Sequence, residues 1–388
     1  MSGPLSHISV IDLTRARSGP TAVRQLADWG ASVVQISSRP EDYDDFPRRN
    51  SDTQNLRRNT RNITVDLRKP EGVAIVKRLV RDADVLVENY RPGVKHRLGI
   101  DYETLSAVNP RLVYGSISGF GQDGPYADRP GFDQIAQGLG GMMSITGLPG
   151  QGPVRAGIPV ADLSAGLFLA QGILVALLER ERSGQGQWVT TSLLEAQVTM
   201  LDFQSTRWLI DGMVPPQAGN DHPTAIPTGV FATSDGYINI ATTGQVMWRK
   251  LCDVLGVPEL VDDPRFATVV DRSTNRADLN PLLGAPITKR TSAEWVELLN
   301  ATGIPCGPIL DIQQVYEDEQ VQHLGLSATV THPALGELQV QRHPVTLSRT
   351  PASVRSAAHD LGEDTDAVLQ EHGYSAADVE RLRADGVI

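Results

Sequence analysis

Over its first 120 residues the chain alternates between two hydrophobic periods, and this alternation restricts the possible folds more than any other feature. His7–Leu13 is a short β-branched run, Pro20–Trp29 reads as a helix, and Ala31–Ser37 is again strand-like, ending at Pro40. A polar, irregular stretch runs from Glu41 to Thr60. The order then returns, with Ile63–Leu67 as a strand, Pro70–Asp82 as a helix, Val85–Val87 as a strand, helical turns to Val108, and Leu112–Ile117 as a strand. Pro70 at the first helical position, with Glu71 in the first turn, suits the free N–H groups and positive end of a helix. Strands separated by helices predict an α/β fold whose parallel sheet is covered on both faces.

Glycine-rich segments at Gly119–Pro125 and Gly138–Gly150 interrupt this rhythm. A long apolar helix is predicted from Asp162 to about Arg180, followed by a strand at Trp188–Thr191 and a helix at Leu193–Ile210. The uncharged run Leu163–Leu178 carries Ser164 and Gln171, and is too short and too polar for a bilayer of about 30 Å. It reads as a buried helix. With 388 residues the chain has room for two or three domains. Residues 1–212 form the expected large domain and 213–227, rich in Pro and polar residues, a linker. Residues 228–325 form a smaller α+β domain with a strand pair around Asp235-Gly236, and 326–388 a C-terminal segment that returns to the large domain.

Acidic residues outnumber basic ones, 46 to 35, for a net charge of −11, which disfavours a generic nucleic-acid-binding surface. Between Arg57 and Arg81, however, eight basic residues face only Asp66 and Glu71, a local positive excess suited to an anionic ligand. A solvated helix face is the simpler account of Lys77, Arg78 and Arg81. Met1–Ile11 lacks the pattern of a secretory signal, so a cytoplasmic protein without a membrane partner is expected. Cys252 and Cys306 are too few and too far apart for a disulfide framework or a zinc site, and the eight histidines show no ligand spacing, so no metal is expected.

The first βα turn, Thr14–Pro20, lacks the GxGxxG fingerprint, and no acid follows the second strand to hold a ribose, which weakens a nicotinamide-cofactor reading. Asp162 is the most informative single residue. At the start of an apolar helix it fits an N-cap, but a carboxylate among small and apolar side chains is also placed to act as a nucleophile. An unperturbed aspartate, with a pKa of about 3.9, is ionised at neutral pH and needs no base.

Several segments together resemble family III CoA-transferases, the formyl-CoA transferase and carnitine CoA-transferase group that also includes α-methylacyl-CoA racemase. They are Val10–Pro20, Leu67–Gly72, Ala83–Gly99, Asn109–Gly124, Gly131–Gly147, Asp162–Arg180, Asp235–Tyr237, Gly303–Pro308 and Leu361–Ile388. Val-Glu-Asn-Tyr-Arg-Pro-Gly (87–93) and Ile-Pro-Cys-Gly-Pro (304–308) carry most of the specificity.

The resemblance implies a Rossmann-like large domain, a small domain, two interlocked chains in a homodimer, and coenzyme A as carrier substrate without a tightly bound cofactor. It makes Asp162 the catalytic carboxylate, which exchanges acyl groups and CoA between an acyl-CoA and a carboxylic acid. Backbone N–H groups of Gly138–Gly141, Gly140 and Gly141 among them, are candidates for the oxyanion site, and a plain tight turn is the alternative. Arg17, Val65, Arg68, Asn89, Tyr90 and Arg97 stand at CoA-contacting positions, although Tyr90 also fits as an ordinary strand-end core residue. Ser38 stands where an arginine is common, with Arg39 beside it as the available cation. Pro130 likewise replaces a basic residue beside Arg129. Gln134, Gln137, Gly244 and Gln245 are expected at the acyl pocket. A racemase would need a histidine in the Gly131-Phe132-Asp133 segment, where Phe132 cannot exchange a proton. A paralogue that binds acyl-CoA without turnover is the remaining alternative, and the presence of Asp162 argues against it.

Overall fold

The computed structural model describes residues 3–40 and 49–388; residues 1, 2 and 41–48, the last within the stretch read as irregular, lie outside them. The chain divides into two compact units. One comprises Met1–Met142, Arg155–Ile210 and Leu324–Ile388, and the other Met143–Val154 and Asp211–His323.

The first unit is built on a six-stranded sheet. In chain order its elements are β1 (Ser9–Asp12), α1 (Ser18–Asp28), β2 (Ser32–Ser37), α2 (Ser51–Leu56), β3 (Thr60–Thr64), α3 (Pro70–Val80), β4 (Val85–Glu88), α4 (Pro92–Leu98), α5 (Tyr102–Ser106), β5 (Val113–Ser118), α6 (Asp133–Leu139), α7 (Met142–Ile145, which runs into the second unit), α8 (Val160–Ser183) and β6 (Trp188–Ser192). All six strands are parallel, in the order β3-β2-β1-β4-β5-β6. This doubly wound order reverses direction between β1 and β4, and such a switch leaves a crevice outside the carboxyl ends of the strands.

Alternation along each strand divides the core between the two faces of the sheet. Val10, Val85 and Val87 pack with Ala22, Leu26, Ala165 and Leu169 of α1 and α8. Ile11 and Leu86 point the other way, against Ile75 and Leu79 of α3 and against Val368 and Leu382 of the C-terminal helices Thr365–Glu371 and Ala376–Ala384. Such an arrangement follows from side chains that alternate sides every residue.

Two expectations need adjusting. The third strand is Thr60–Thr64 rather than 63–67, because Val33 to Ser37 pair with residues 60–64, which leaves Val65–Leu67 as a loop at the carboxyl edge. The predicted helix Leu193–Ile210 is two helices, α9 (Leu193–Met200) and α10 (Phe203–Asp211), interrupted at Asp202, whose φ of +46 no helix accommodates. Helix α8 is buried along only one face: Ala165, Leu169 and Ile173 are covered while Leu174, Val175 and Leu178 are exposed.

The second unit holds an antiparallel sheet of β7 (Thr228–Ala232), β8 (Tyr237–Ala241) and β9 (Cys306–Pro308), with Asp235-Gly236 in the first turn. Helices Gly244–Leu255, Arg276–Ile287 and Ser292–Ala301 surround a core containing Trp248, Phe266 and Trp295.

Candidate active site

The carboxyl ends of β1–β4 open into a cleft of about 730 Å³. Its walls come from the loop after each strand: Arg15 after β1, Ser38 and Arg39 after β2, Val65, Asp66 and Arg68 after β3, and Asn89, Tyr90 and Arg91 after β4, with Arg97 from α4 and the exposed Phe132. Five arginines around one cleft favour an anionic, phosphate-bearing ligand.

Asn89 ties the two sides of the topological switch together. Its Oδ1 accepts from the Arg15 backbone N–H at 2.8 Å and its Nδ2 donates to the Arg15 carbonyl at 2.8 Å, so the loops after β4 and β1 are joined much as paired strands are. The Asn89-Tyr90 segment is itself anchored from below. Glu88, fully buried, accepts from the Tyr90 N–H at 2.8 Å and from Lys95 Nζ at 2.9 Å, and Lys95 also reaches Ser116 and Gln122 and lies over the Trp188 ring. Burial pushes the Tyr90 phenol up to about 12.

Of the residues expected to line a CoA site, Arg39, Val65, Arg68, Asn89, Tyr90 and Arg97 surround this cleft. Arg17 does not; its guanidinium pairs with Asp52 at 2.8 Å, and it lies close enough to Asp162 to favour that carboxylate's charged form. Between them, Ala16 takes a left-handed φ of +54, which sends successive arginines to different places. Ser38 accepts a 2.6 Å hydrogen bond from Arg15, a cation not anticipated at this position, while Arg39 lies 4.0 Å from Asp66. Arg129 stacks on Tyr126.

The positive stretch at 57–81 is mostly structural. Arg57 is buried against Asp12 at 2.9 Å, Arg58 against Asp28 at 2.6 Å, and Arg61 pairs with Glu371. Of the eight basic residues in this stretch only Arg68 lines the cleft, and Asp66 holds it at 2.8 Å.

Asp162 is not the N-cap of α8. That helix begins after Pro159, so Asp162 occupies its first turn, and the capping carboxylate belongs to Asp133, whose Oδ1 accepts from the N–H groups of Ala161 at 2.9 Å and Asp162 at 3.4 Å. Gly166 lets α1 approach: a Cβ there would sit 2.6 Å from the Ser18 carbonyl oxygen, so the Ser18 hydroxyl can reach Asp162 and donate a hydrogen bond to it. Half-buried, Asp162 is raised to about 6, first by desolvation and then by the negative charge of Asp133, with Arg17 and Ser18 opposing. The carboxylate is therefore still ionised at neutral pH, but less acidic than the unperturbed group expected from sequence.

This shift sets a pH dependence. A reaction that needs the Asp162 anion should lose kcat/KM about tenfold per pH unit below about 6 and be flat above it. Because Asp133 contributes to the shift, Asp133→Asn should move that acid limb to lower pH; a limb that stays in place would show that Asp133 does not set it.

Two further expectations fail on geometry, those for the oxyanion site and for Gln137. The Gly140 and Gly141 N–H groups donate to Ala136 and Gly138, completing the end of α6, and so do not form an oxyanion site. Gly140 is required instead by packing, since a Cβ would lie 2.5 Å from Gln197. Gln137 is buried, donating to Asp133 at 2.7 Å and accepting from Ala156 N–H at 2.9 Å, whereas Gln134 is exposed. Gly244 opens a helix of the second unit, where Gln245 accepts from Arg272.

Sequence reasoning overlooked Asp133 and Arg155. From Pro130 to Leu178 the only charged residues are Asp133, Arg155 and Asp162, and that isolation was a usable signal. The structure joins all three through Asp133, which Arg155 approaches to 3.5 Å.

The sequence model of CoA-transferase family III matches residues 5–365. Succinate–glutarate CoA-transferase of Agrobacterium fabrum is 37% identical over 382 residues, 95% of either chain. Succinyl-CoA:glutarate CoA-transferase of Mus musculus is 36% identical over 394 residues, covering 99% of this chain and 90% of the relative. Among solved structures, a CAIB/BAIF family protein from Brucella suis superposes with a TM-score of 0.85 at 34% identity, covering 96% of this chain and all of its own.

Proposed function

Because the chain belongs to CoA-transferase family III, and is a CoA-transferase, we propose that it exchanges CoA between two dicarboxylic acids with Asp162 as the nucleophile. The observation that carries the reading is the placement of an ionised, half-buried carboxylate at the meeting of α1 and α8 in the unit whose arginine-lined cleft suits CoA. The two relatives are named for succinate and glutarate, both dicarboxylates, which supports that substrate class.

The Asp162 carboxylate attacks the thioester carbonyl of the donor, and CoA leaves as thiolate, giving an aspartyl-acyl mixed anhydride. Thiolate then attacks the aspartyl carbonyl, releases the donor acid and forms an aspartyl-CoA thioester. The acceptor carboxylate attacks that thioester, CoA leaves again, and its return to the acceptor's acyl carbon regenerates Asp162. No net proton is taken up or lost. Covalent catalysis divides one difficult exchange into familiar acyl transfers. Arg15, Arg39, Arg68, Arg91 and Arg97 bind the CoA nucleotide phosphates, and Asn89 and Tyr90 line its path.

Incubation with succinyl-CoA followed by hydroxylamine should leave a hydroxamate on Asp162, detectable by mass spectrometry of the peptide that carries it. Exchange with no adduct at any stage would reject the covalent route. The exposed apolar flank of α8, Leu174, Val175 and Leu178, is suited to a second copy of the chain, and the active species is a homodimer, interlocked and acting in the cytoplasm. Sedimentation should give twice the chain mass of 42.0 kDa; a monomer in solution would reject this assembly.

A further inference from the structure

We infer that Arg155 is the cation that receives the distal carboxylate of a dicarboxylic acid at Asp162, and so sets the preference for dicarboxylic over monocarboxylic acids. The inference rests on the dicarboxylate reading above and adds a residue to it. When one carboxyl group of such an acid reacts at Asp162, the other remains ionised and enters a half-buried site. An unpaired anion there is strongly disfavoured, so a cation must be within reach.

Among the described residues, Arg17 and Arg155 bring guanidinium groups to this neighbourhood. Arg17 is held by Asp52 at 2.8 Å. Arg155 has one partner among the described residues, Asp133, at 3.5 Å, which is an ion-pair distance without a hydrogen bond, and its side chain is 41% exposed. The carboxylate opposite is already engaged: Asp133 Oδ2 accepts from Gln137 at 2.7 Å, and Oδ1 from the N–H groups of Ala161 and Asp162. Asp133 therefore fixes the region of the guanidinium without using its donors. All the N–H groups of Arg155 remain available for a fork-to-fork contact with an incoming carboxylate.

The backbone next to Arg155 is equally fixed, since the Ala156 N–H donates to the buried Gln137 side chain at 2.9 Å. A single buried pair, Asp133 and Gln137, thus anchors both the start of the helix that carries Asp162 and the residue that follows Arg155. The backbone segments that carry nucleophile and cation are tied to one anchor, as selection by acid length requires.

The test compares succinate with butyrate, and glutarate with valerate, as CoA acceptors for wild type, Arg155→Gln and Arg155→Lys. Loss of a charge-assisted contact should lower kcat/KM for the dicarboxylates by about 10- to 100-fold in Arg155→Gln while changing the monocarboxylates less than about threefold. Arg155→Lys should recover part of the difference. Calorimetric titration of succinate into Asp162→Asn, with and without Arg155→Gln, reads the same contact without covalent chemistry, so it remains informative if Asp162 is not the nucleophile. Equal losses for both acid classes, an unchanged preference, no preference in wild type, or unchanged succinate binding would each overturn the assignment.

Discussion

Asp162→Asn is expected to reduce CoA exchange by about four orders of magnitude or more, because the neighbouring carboxylate, Asp133, is engaged by Gln137 and by the N–H groups at the start of α8. The affinity for CoA should change little, since the arginine-lined cleft draws on the loops after β1–β4 and not on α8. The same substitution should make the protein more stable at neutral and higher pH. Burial and Asp133 raise the Asp162 carboxylate from an ordinary value to about 6, so its ionised form is less favourable in the folded chain than in the unfolded one. For an acid whose folded pKa is raised, the destabilisation is present above that pKa and disappears as pH falls through it toward the unfolded value. The melting temperature of Asp162→Asn should therefore exceed that of wild type at pH 8, and the advantage should fade below about pH 6. Equal stability at pH 8 would mean that Asp162 is not desolvated, and near-normal turnover would remove it from the chemistry.

Lys95→Met should cost about 3–5 kcal/mol, because it leaves Glu88 fully buried with its charge unmatched. Lys95 has no second role at the surface: it is enclosed by Glu88, Ser116, Gln122 and the rings of Trp188 and Tyr114. Thermal melting and urea unfolding measure the loss, which should appear as a fall in melting temperature of the order of 10 °C. Whatever folded enzyme remains should show a raised KM for acyl-CoA, since Glu88 anchors the Tyr90 N–H at the wall of the cleft. A loss below about 1 kcal/mol would show that the pair is dispensable.

Both predictions concern residues whose roles were unequally visible before the fold was known. The apolar alternation in His7–Leu13 and Val85–Val87 and the helical period between them are local properties, so strand, helix and parallel pairing followed directly. Val87–Gly93 was legible as a motif, but its physical reason was not: Glu88 needs Lys95 from the next helix and Ser116 from the next strand. Composition was misleading at 57–81, where adjacent arginines suggested a ligand surface. Arg57 and Arg58 in fact neutralise Asp12 and Asp28, which lie 45 and 30 residues away in the chain.

Gly140 and Gly141 failed for a related reason. A glycine-rich segment advertises available N–H groups, yet only the path of the backbone shows that α6 has already engaged them. Gln137 was misplaced because its side chain turns inward to Asp133, a partner identified by contact alone.

By itself the sequence determined the element types, the α/β class of fold with its parallel sheet, the likeness to CoA-transferase family III, and the singular position of Asp162. Each of these depends on residue type and on neighbours a few positions away. The tertiary structure decided which charges are already paired and which still have donors to offer a substrate. It brought Asp133 to the start of α8 across 28 residues of chain, made Asp162 less acidic than an isolated aspartate, and left Arg155 within 3.5 Å of Asp133. Ionisation and pairing depend on desolvation and on distances of a few ångströms, and those distances exist only once the chain has folded.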